Sequence, residues 1–352
     1  MTRNDLHTHP RGAARDLLAV ASQSGPSVTF LDAVTHGVLG AVEVPAEPHE
    51  LCFDPVRRLL YATITYRSGY YNAHSGRAHE LAVIDPDARR VVEIVDLSPE
   101  QGAHGVLLDP VRDLVWLSVE GDPEGALVAL DPGTREIVRR VPVGAPGPHW
   151  FVVAPDGRRA YSANKEAPYL SVVDLETGEF LDRVPVPGSE GIDISADGRL
   201  LYAAVRAGDG EPAGVRVIDT ATHATVRVHA TRGPVFPVHV APGGLVLAGE
   251  LRMRPDGSAL GANEPGLLHL LDADGRSRGQ VPVGAFPLTV RSSPDGALGL
   301  VSAVLSSTVT VVDLVEARVV RTLEIPRAGE PGAHGLAYIP APGAEGAGPS
   351  AR

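Results

Sequence analysis

A hydrophobic strand ending in aspartate, followed by a turn and a second strand, recurs seven times along this chain of 352 residues. The copies read "VTFLDAVTHGVLGAVEV", "LAVIDPDARRVVEIV", "LVALDPGTREIVRRVPV", "LSVVDLETGEFLDRVPV", "VRVIDTATHATVRV", "LHLLDADGRSRGQVPV" and "VTVVDLVEARVVRTLEI". Their turn aspartates are Asp32, Asp85, Asp131, Asp174, Asp219, Asp272 and Asp313, and they stand about 41 to 53 residues apart, the period of a propeller blade. A side chain repeated in every unit at a turn is a turn former rather than a catalyst.

A second kind of hairpin lies between these, as in "DPVRRLLYATI", "DPVRDLVWLSV", "APDGRRAYSAN", "SADGRLLYAAV" and "SPDGALGLVSAV". Pro-Asp and Asp-Gly supply the backbone geometry of tight hairpins. Two hairpins per period make a four-stranded blade, its strands labelled A to D from the axis outward. The first hairpin strands, near residues 17 to 45, lack an A strand, and "HGLAYI" (334 to 339) is an A strand with nothing after it. The economical solution joins them, which closes the ring and removes its open edge. The expected fold is all-β: one seven-bladed β-propeller over residues 17–340, between a flexible tail (1–16) and a disordered Pro/Gly/Ala-rich tail (341–352).

These repeats resemble the YVTN-type, lactonase-like seven-bladed propellers. That family's "SPDGR-LYVAN" and "VSVIDTATG" signatures correspond to "APDGRRAYSAN", "SADGRLLYAAV" and "VRVIDTATHATV". The likeness covers roughly residues 17 to 340 and implies the fold. For function it implies a lactone-like substrate only loosely, because the matched residues build turns.

Composition narrows the partners. A formal net charge of −12 repels a phosphate backbone, and no dense Lys/Arg cluster relieves that repulsion, so nucleic acid is excluded as a partner. The first twenty residues lack the apolar core of a signal peptide, and no run of about 18 apolar residues occurs. The expectation is a cytoplasmic protein with no membrane association. Cys52 is the single cysteine, which excludes intrachain disulfides and Cys-rich zinc sites. No Gly-rich phosphate loop opens a helix, so no nucleotide cofactor is expected.

In a propeller, the D-to-A connections and B-to-C loops share one face, here called the top. The long B-to-C segments are 66 to 80, 120 to 126, 206 to 214 and 250 to 266, so the elaboration, and with it the function, is expected at the top. Four A strands begin there with histidine: His334, His49, His104 and His149, followed in blade order by Glu190. The last two blades offer "VFPVHV" and "AFPLTV", which places Phe236 and Phe286 in the apolar remainder.

Imidazoles converging over a channel suit a divalent transition metal: iron, manganese, copper or zinc. On this reading His49, His104, His149 and His334 are metal ligands, and Glu190 is a further ligand or general base. His74, His79, Tyr70 and Tyr71, in the first long loop, are candidates for proton transfer. Arg206, Glu250, Arg252 and Arg254 near the rim are candidates to grip substrate, with Phe236 and Phe286 as its apolar contacts. The expected function is that of an enzyme acting on a small molecule, either by lactone-like hydrolysis or elimination or by metal-dependent oxidation. The competing reading is a non-catalytic propeller that binds a small ligand or a protein partner through the same face, with the histidines bonding neighbouring backbone.

Overall fold

The computed structural model describes residues 15–23, 25–70, 73–109, 111–206, 210–253, 263–326 and 332–343, without the side chains of Tyr70, Ala73 and Asn263. Seven four-stranded antiparallel sheets make up the ring, and a small two-stranded ribbon (Gly69–Tyr70 with Ala73–His74) lies in the first long loop. Among the described residues there is no helix, and none therefore is long and apolar enough to cross a membrane. The tail expectations fall mostly on residues 1–14 and 344–352, outside the described set.

Blade 1 closes the ring as the repeat count requires. Its A strand is Ala333–Ile339, hydrogen-bonded to Leu17–Ser22 with Leu17 opposite Ile339 and Val20 opposite Leu336. The A strands of blades 2 to 7 are Glu47–Asp54, Gln101–Asp109, Pro148–Val153, Ile192–Ile194, Val235–Val240 and Pro287–Ser292.

Apolar cores form where neighbouring blades face each other. Leu60, Ala62 and Ile64 of blade 2 pack with Ala19, Val28 and Phe30 of blade 1, and Leu81 and Val83 pack with Leu117 and Val128 of blade 3. The aromatic in each "LLYAT"-type strand (Tyr61, Trp116, Tyr161, Tyr202) is almost wholly buried. B and C strands are covered on both faces and read as continuous apolar runs. D strands are solvated outside, as the mostly exposed Ile137–Pro142 shows.

The repeated aspartates do what their turn position implies. Asp32 Oδ1 accepts the N–H groups of Val34 (3.0 Å) and Thr35 (2.8 Å), and Asp174 Oδ1 those of Glu176 (2.8 Å) and Thr177 (2.9 Å). A carboxylate tied in this way stabilises its hairpin and has little capacity left for chemistry.

Candidate metal centre

The histidines reach the axis because the A strands are bulged where they stand. Pairing with the B strand shifts between Pro48 and Leu51, between Ala103 and Val106, and between Pro148 and Phe151. It shifts again across His334, opposite Val20/Ser22, and in blades 6 and 7 between Val235 and Val238 and between Pro287 and Thr289. A bulge breaks the pleat's alternation and re-aims a side chain. In blade 7 Leu288 lines the cavity, while Phe286 precedes the strand and packs with Phe236, Leu251, Leu288 and Val304. The cavity wall accordingly contains His49, His104, His149, His334, Glu190, Phe236 and Leu288.

The four imidazoles converge. Ring centroids lie 4.7 Å apart for His49 and His104, 4.6 Å for His104 and His149, 5.4 Å for His49 and His149, and 4.2 Å for His49 and His334. All four residues are at most 5 % exposed. Their ligating atoms fall into two groups rather than one. His49, His104 and His149 bring one nitrogen each to within 4.8 Å of one another, and His334 groups instead with His49 and Glu50.

Small residues and hydroxyls draw the ring together. A Cβ on Gly335 would stand 2.3 Å from the His49 carbonyl oxygen, and one on Gly105 2.8 Å from that of His149. Glycine after the ring histidine thus lets the next blade's backbone close in. Ring carbonyls are also capped from the side: Thr63 Oγ1 donates to His104 O (2.7 Å), while the Ser118 and Ser302 hydroxyls donate to His149 O and His334 O. Gly335→Ala is expected to cost about 1–3 kcal/mol by overpacking. Thermal denaturation checks this against Gly37→Ala, whose nearest neighbour would be a side-chain oxygen at 3.6 Å.

His49, His104 and His149 are held neutral. Burial, followed by the neighbouring rings and the Lys165 ammonium, keeps His49 and His149 well below the usual imidazole range. His104 is pushed down to about 4 by burial and Lys165, against the pull of Glu120. Neutral imidazole is the ligating form.

A hydrogen bond also selects the tautomer of His104. His104 Nε2 lies 2.6 Å from Glu120 Oε1. Burial raises the Glu120 carboxyl, but the contacts with His104 and Lys165 outweigh burial and hold it far below the usual range, so it only accepts. The proton therefore sits on His104 Nε2, and the lone pair sits on Nδ1. The Nδ1 atoms of His49, His104 and His149 are all buried with no hydrogen-bond partner. Unpartnered buried nitrogens are costly, and a bound cation would satisfy those that present a lone pair. The donor set thus fits a transition ion: three neutral nitrogens, with a carboxylate–histidine contact of the kind that orients metal ligands.

One consequence concerns acid stability of the metal-free chain. The folded-state pKa values are depressed, so the unfolded chain binds more protons and stability falls as pH drops below about 6.5, down to about 4 for His104. Each such histidine contributes a slope of up to about 1.4 kcal/mol per pH unit. Urea midpoints compared between pH 7.5 and 5 should show a smaller drop for His149→Gln than for the parent.

The remaining predicted residues have definite places. Glu190 is buried in the cavity wall, and its Oε1 meets Arg206 Nη1 at 3.0 Å; Arg206 also donates to Lys165 O (2.6 Å). Both Glu250 oxygens are engaged inside blade 6, by Gly233 N (2.7 Å) and His269 Nε2 (2.6 Å). Arg252 is exposed, 3.7 Å from Glu264. His74 stacks on Tyr66 at 4.2 Å, and His79 Nδ1 lies 2.8 Å from Glu100 O. Tyr71, Arg254 and the Tyr70 side chain lie outside the described set.

Several site residues escaped the pattern: Gln23, Glu50, Tyr66, Glu120, Trp150, Lys165 and Leu288. Tyr66 OH donates to Glu120 Oε1 (2.8 Å) and accepts from Lys165 Nζ (2.7 Å), and Lys165 and Arg77 both pair with Glu120. The signal was present in the sequence: a polar residue closing the B strand, which marked Arg206 and Glu250, also marks Tyr66, Glu120 and Lys165.

No family model matches the chain. It is 22 % identical over 243 residues to the uncharacterized protein YncE of Salmonella typhimurium. That match covers 65 % of this chain, and the chain spans 63 % of the length of that curated relative. Among solved structures, hydrazine synthase of Kuenenia stuttgartiensis superposes with a TM-score of 0.67 at 19 % identity, covering 89 % of this chain and 99 % of that one. A functionally unknown protein of Desulfotomaculum acetoxidans gives 0.69 at 12 % identity, covering 92 % and 98 %. At such identities the likeness is one of fold, and function has to be argued from the site. The chain is a seven-bladed β-propeller whose channel carries a histidine and glutamate cluster that could bind a metal.

Proposed function

We propose that this propeller is a metal-dependent enzyme acting on a small molecule at the top of its channel. The carrying observation is the set His49, His104 and His149: buried, neutral, with ligating nitrogens within 4.8 Å and orphaned Nδ1 atoms. Nitrogen-only donors favour zinc, copper or iron over manganese. The ion supplies Lewis acidity and, for iron or copper, redox chemistry.

The protein's own groups surround that position asymmetrically. Tyr66 faces the cavity, and burial and the Glu120 charge raise its hydroxyl well above the usual phenol range, so it remains a proton donor. Lys165 supplies the balancing positive charge beside it. Across the ring Glu190, held by Arg206, presents a carboxylate that can accept a proton from substrate. Phe236 and Leu288 form an apolar wall that excludes water from the remaining side. Lactone-like hydrolysis or elimination, and oxidation, both suit this combination; the repeat signatures shared with YVTN-type propellers support the first and the nitrogen-rich donor set the second. The near-complete burial of the ring favours an ion and a small molecule over a protein partner at this position.

Metal analysis of the chain purified without a histidine tag is the test. A stoichiometric transition metal, with activity in a substrate screen that His104→Ala removes, is the expected result. Absence of metal, together with unchanged activity in His104→Ala, overturns the reading.

A further inference from the structure

Glu50 stands beside His49 and His334 with an unmet requirement. It is 1 % exposed, and its Oε2 has no hydrogen-bond partner. Its Oε1 receives the Thr289 hydroxyl (3.1 Å) and lies 3.2 Å from His334 Nδ1 and 4.0 Å from His49 Nδ1. Arg291 Nη2 comes only to 3.7 Å from Oε2, and that guanidinium is otherwise engaged by Val290 O (3.0 Å) and the Trp150 ring (5.8 Å). A carboxylate this deep needs a close counter-charge.

The geometry points to a second cation position formed by Glu50, His334 and His49, which makes the centre dinuclear with His49 common to both positions. The inference rests on the metal reading above and extends it. Ligands bonded to one ion at about 2.0–2.2 Å, at angles between 90° and tetrahedral, stand about 2.8–3.6 Å apart. The 3.2 Å between His334 Nδ1 and Glu50 Oε1 falls in that range and is long for a charge-assisted hydrogen bond, while the 4.0 Å from Glu50 Oε1 to His49 Nδ1 has to close when an ion binds. In the metal-free protein His334 Nδ1 bonds the His49 carbonyl oxygen at 3.2 Å, a contact that gives way when the nitrogen takes an ion. The other position keeps His104 and His149. His49 has two ring nitrogens and would serve both positions as a bridging imidazolate, its N–H proton passing to solvent on loading. A mixed imidazole and carboxylate set suits zinc, manganese or ferrous iron.

Native mass spectrometry of the full, tag-free chain tests this. The chain is stripped with chelator, reloaded with zinc alone and desalted. Two retained zinc ions per chain are expected for the parent, one for Glu50→Gln and one for the His104→Ala/His149→Ala double variant, each shown folded by its near-UV circular dichroism. One retained ion in the parent, or two in Glu50→Gln, overturns the second position while leaving a mononuclear centre standing. No retained ion overturns both readings.

Discussion

His49→Ala is expected to abolish tight metal binding, weakening zinc affinity by at least about 100-fold, beyond the 10–100-fold typical of losing a group that only orients a ligand. The reason is position: His49 belongs to both candidate groups, and its ring lies within 5.4 Å of those of His104, His149 and His334. The metal-free chain loses the packing of a buried ring but no hydrogen bond from Nδ1, which has no partner. Competition with a chelator of known affinity measures the first effect, and urea denaturation of the stripped protein the second. His223→Ala serves as control, since that histidine pairs with Asp182 on the outer hairpins. Equal zinc affinity in the parent and His49→Ala would remove the centre from consideration.

A chain ending at residue 332 is expected to lose its cooperative fold. The missing A strand of blade 1 contributes Leu336 and Ile339, both 0 % exposed, to the packing between blades 7 and 1 and between blades 1 and 2. Emptying one such site costs about 2–5 kcal/mol, and removing the whole strand approaches or exceeds the 5–15 kcal/mol that keeps a typical domain folded. It also uncovers the Leu17–Ser22 edge, an invitation to aggregation. Calorimetry and sedimentation would show a broad or absent transition and aggregates. A sharp transition within a few degrees of the parent would mean that the ring does not depend on this strand.

The blades were legible because each makes the same local choices. An aspartate two and three residues ahead of free N–H groups makes a turn wherever it stands, and runs such as "LLYAT" must be covered on both faces. The histidines were legible as a ring because the repeat assigns them one position. Their carboxylate partners were harder. Glu50 follows His49 directly, so ordinary strand alternation would send the two side chains to opposite faces, yet the bulge between Pro48 and Leu51 brings both to the channel. Glu120 reaches His104 from the adjacent strand, and Lys165 reaches both from the next blade.

Other readings depended on what surrounds a residue. Glu250 is placed like Arg206 near the end of a B strand, and that placement could not distinguish a rim carboxylate from one engaged by His269 within its blade. His239 stands on the A strand of blade 6. It is partly exposed, 3.0 Å from Ser292 Oγ and 3.3 Å from Asp193 Oδ2, so three successive blades meet there.

By itself, then, the sequence determined the blade count, the closing strand, the turn chemistry and the set of blades that carry histidine, since all of these follow from local pattern repeated at a fixed period. Only the tertiary structure decided which nitrogen each imidazole presents, which glutamate holds it and whether four rings make one group or two. Those outcomes depend on bulges and on contacts between blades, where residues far apart in sequence come within hydrogen-bond reach.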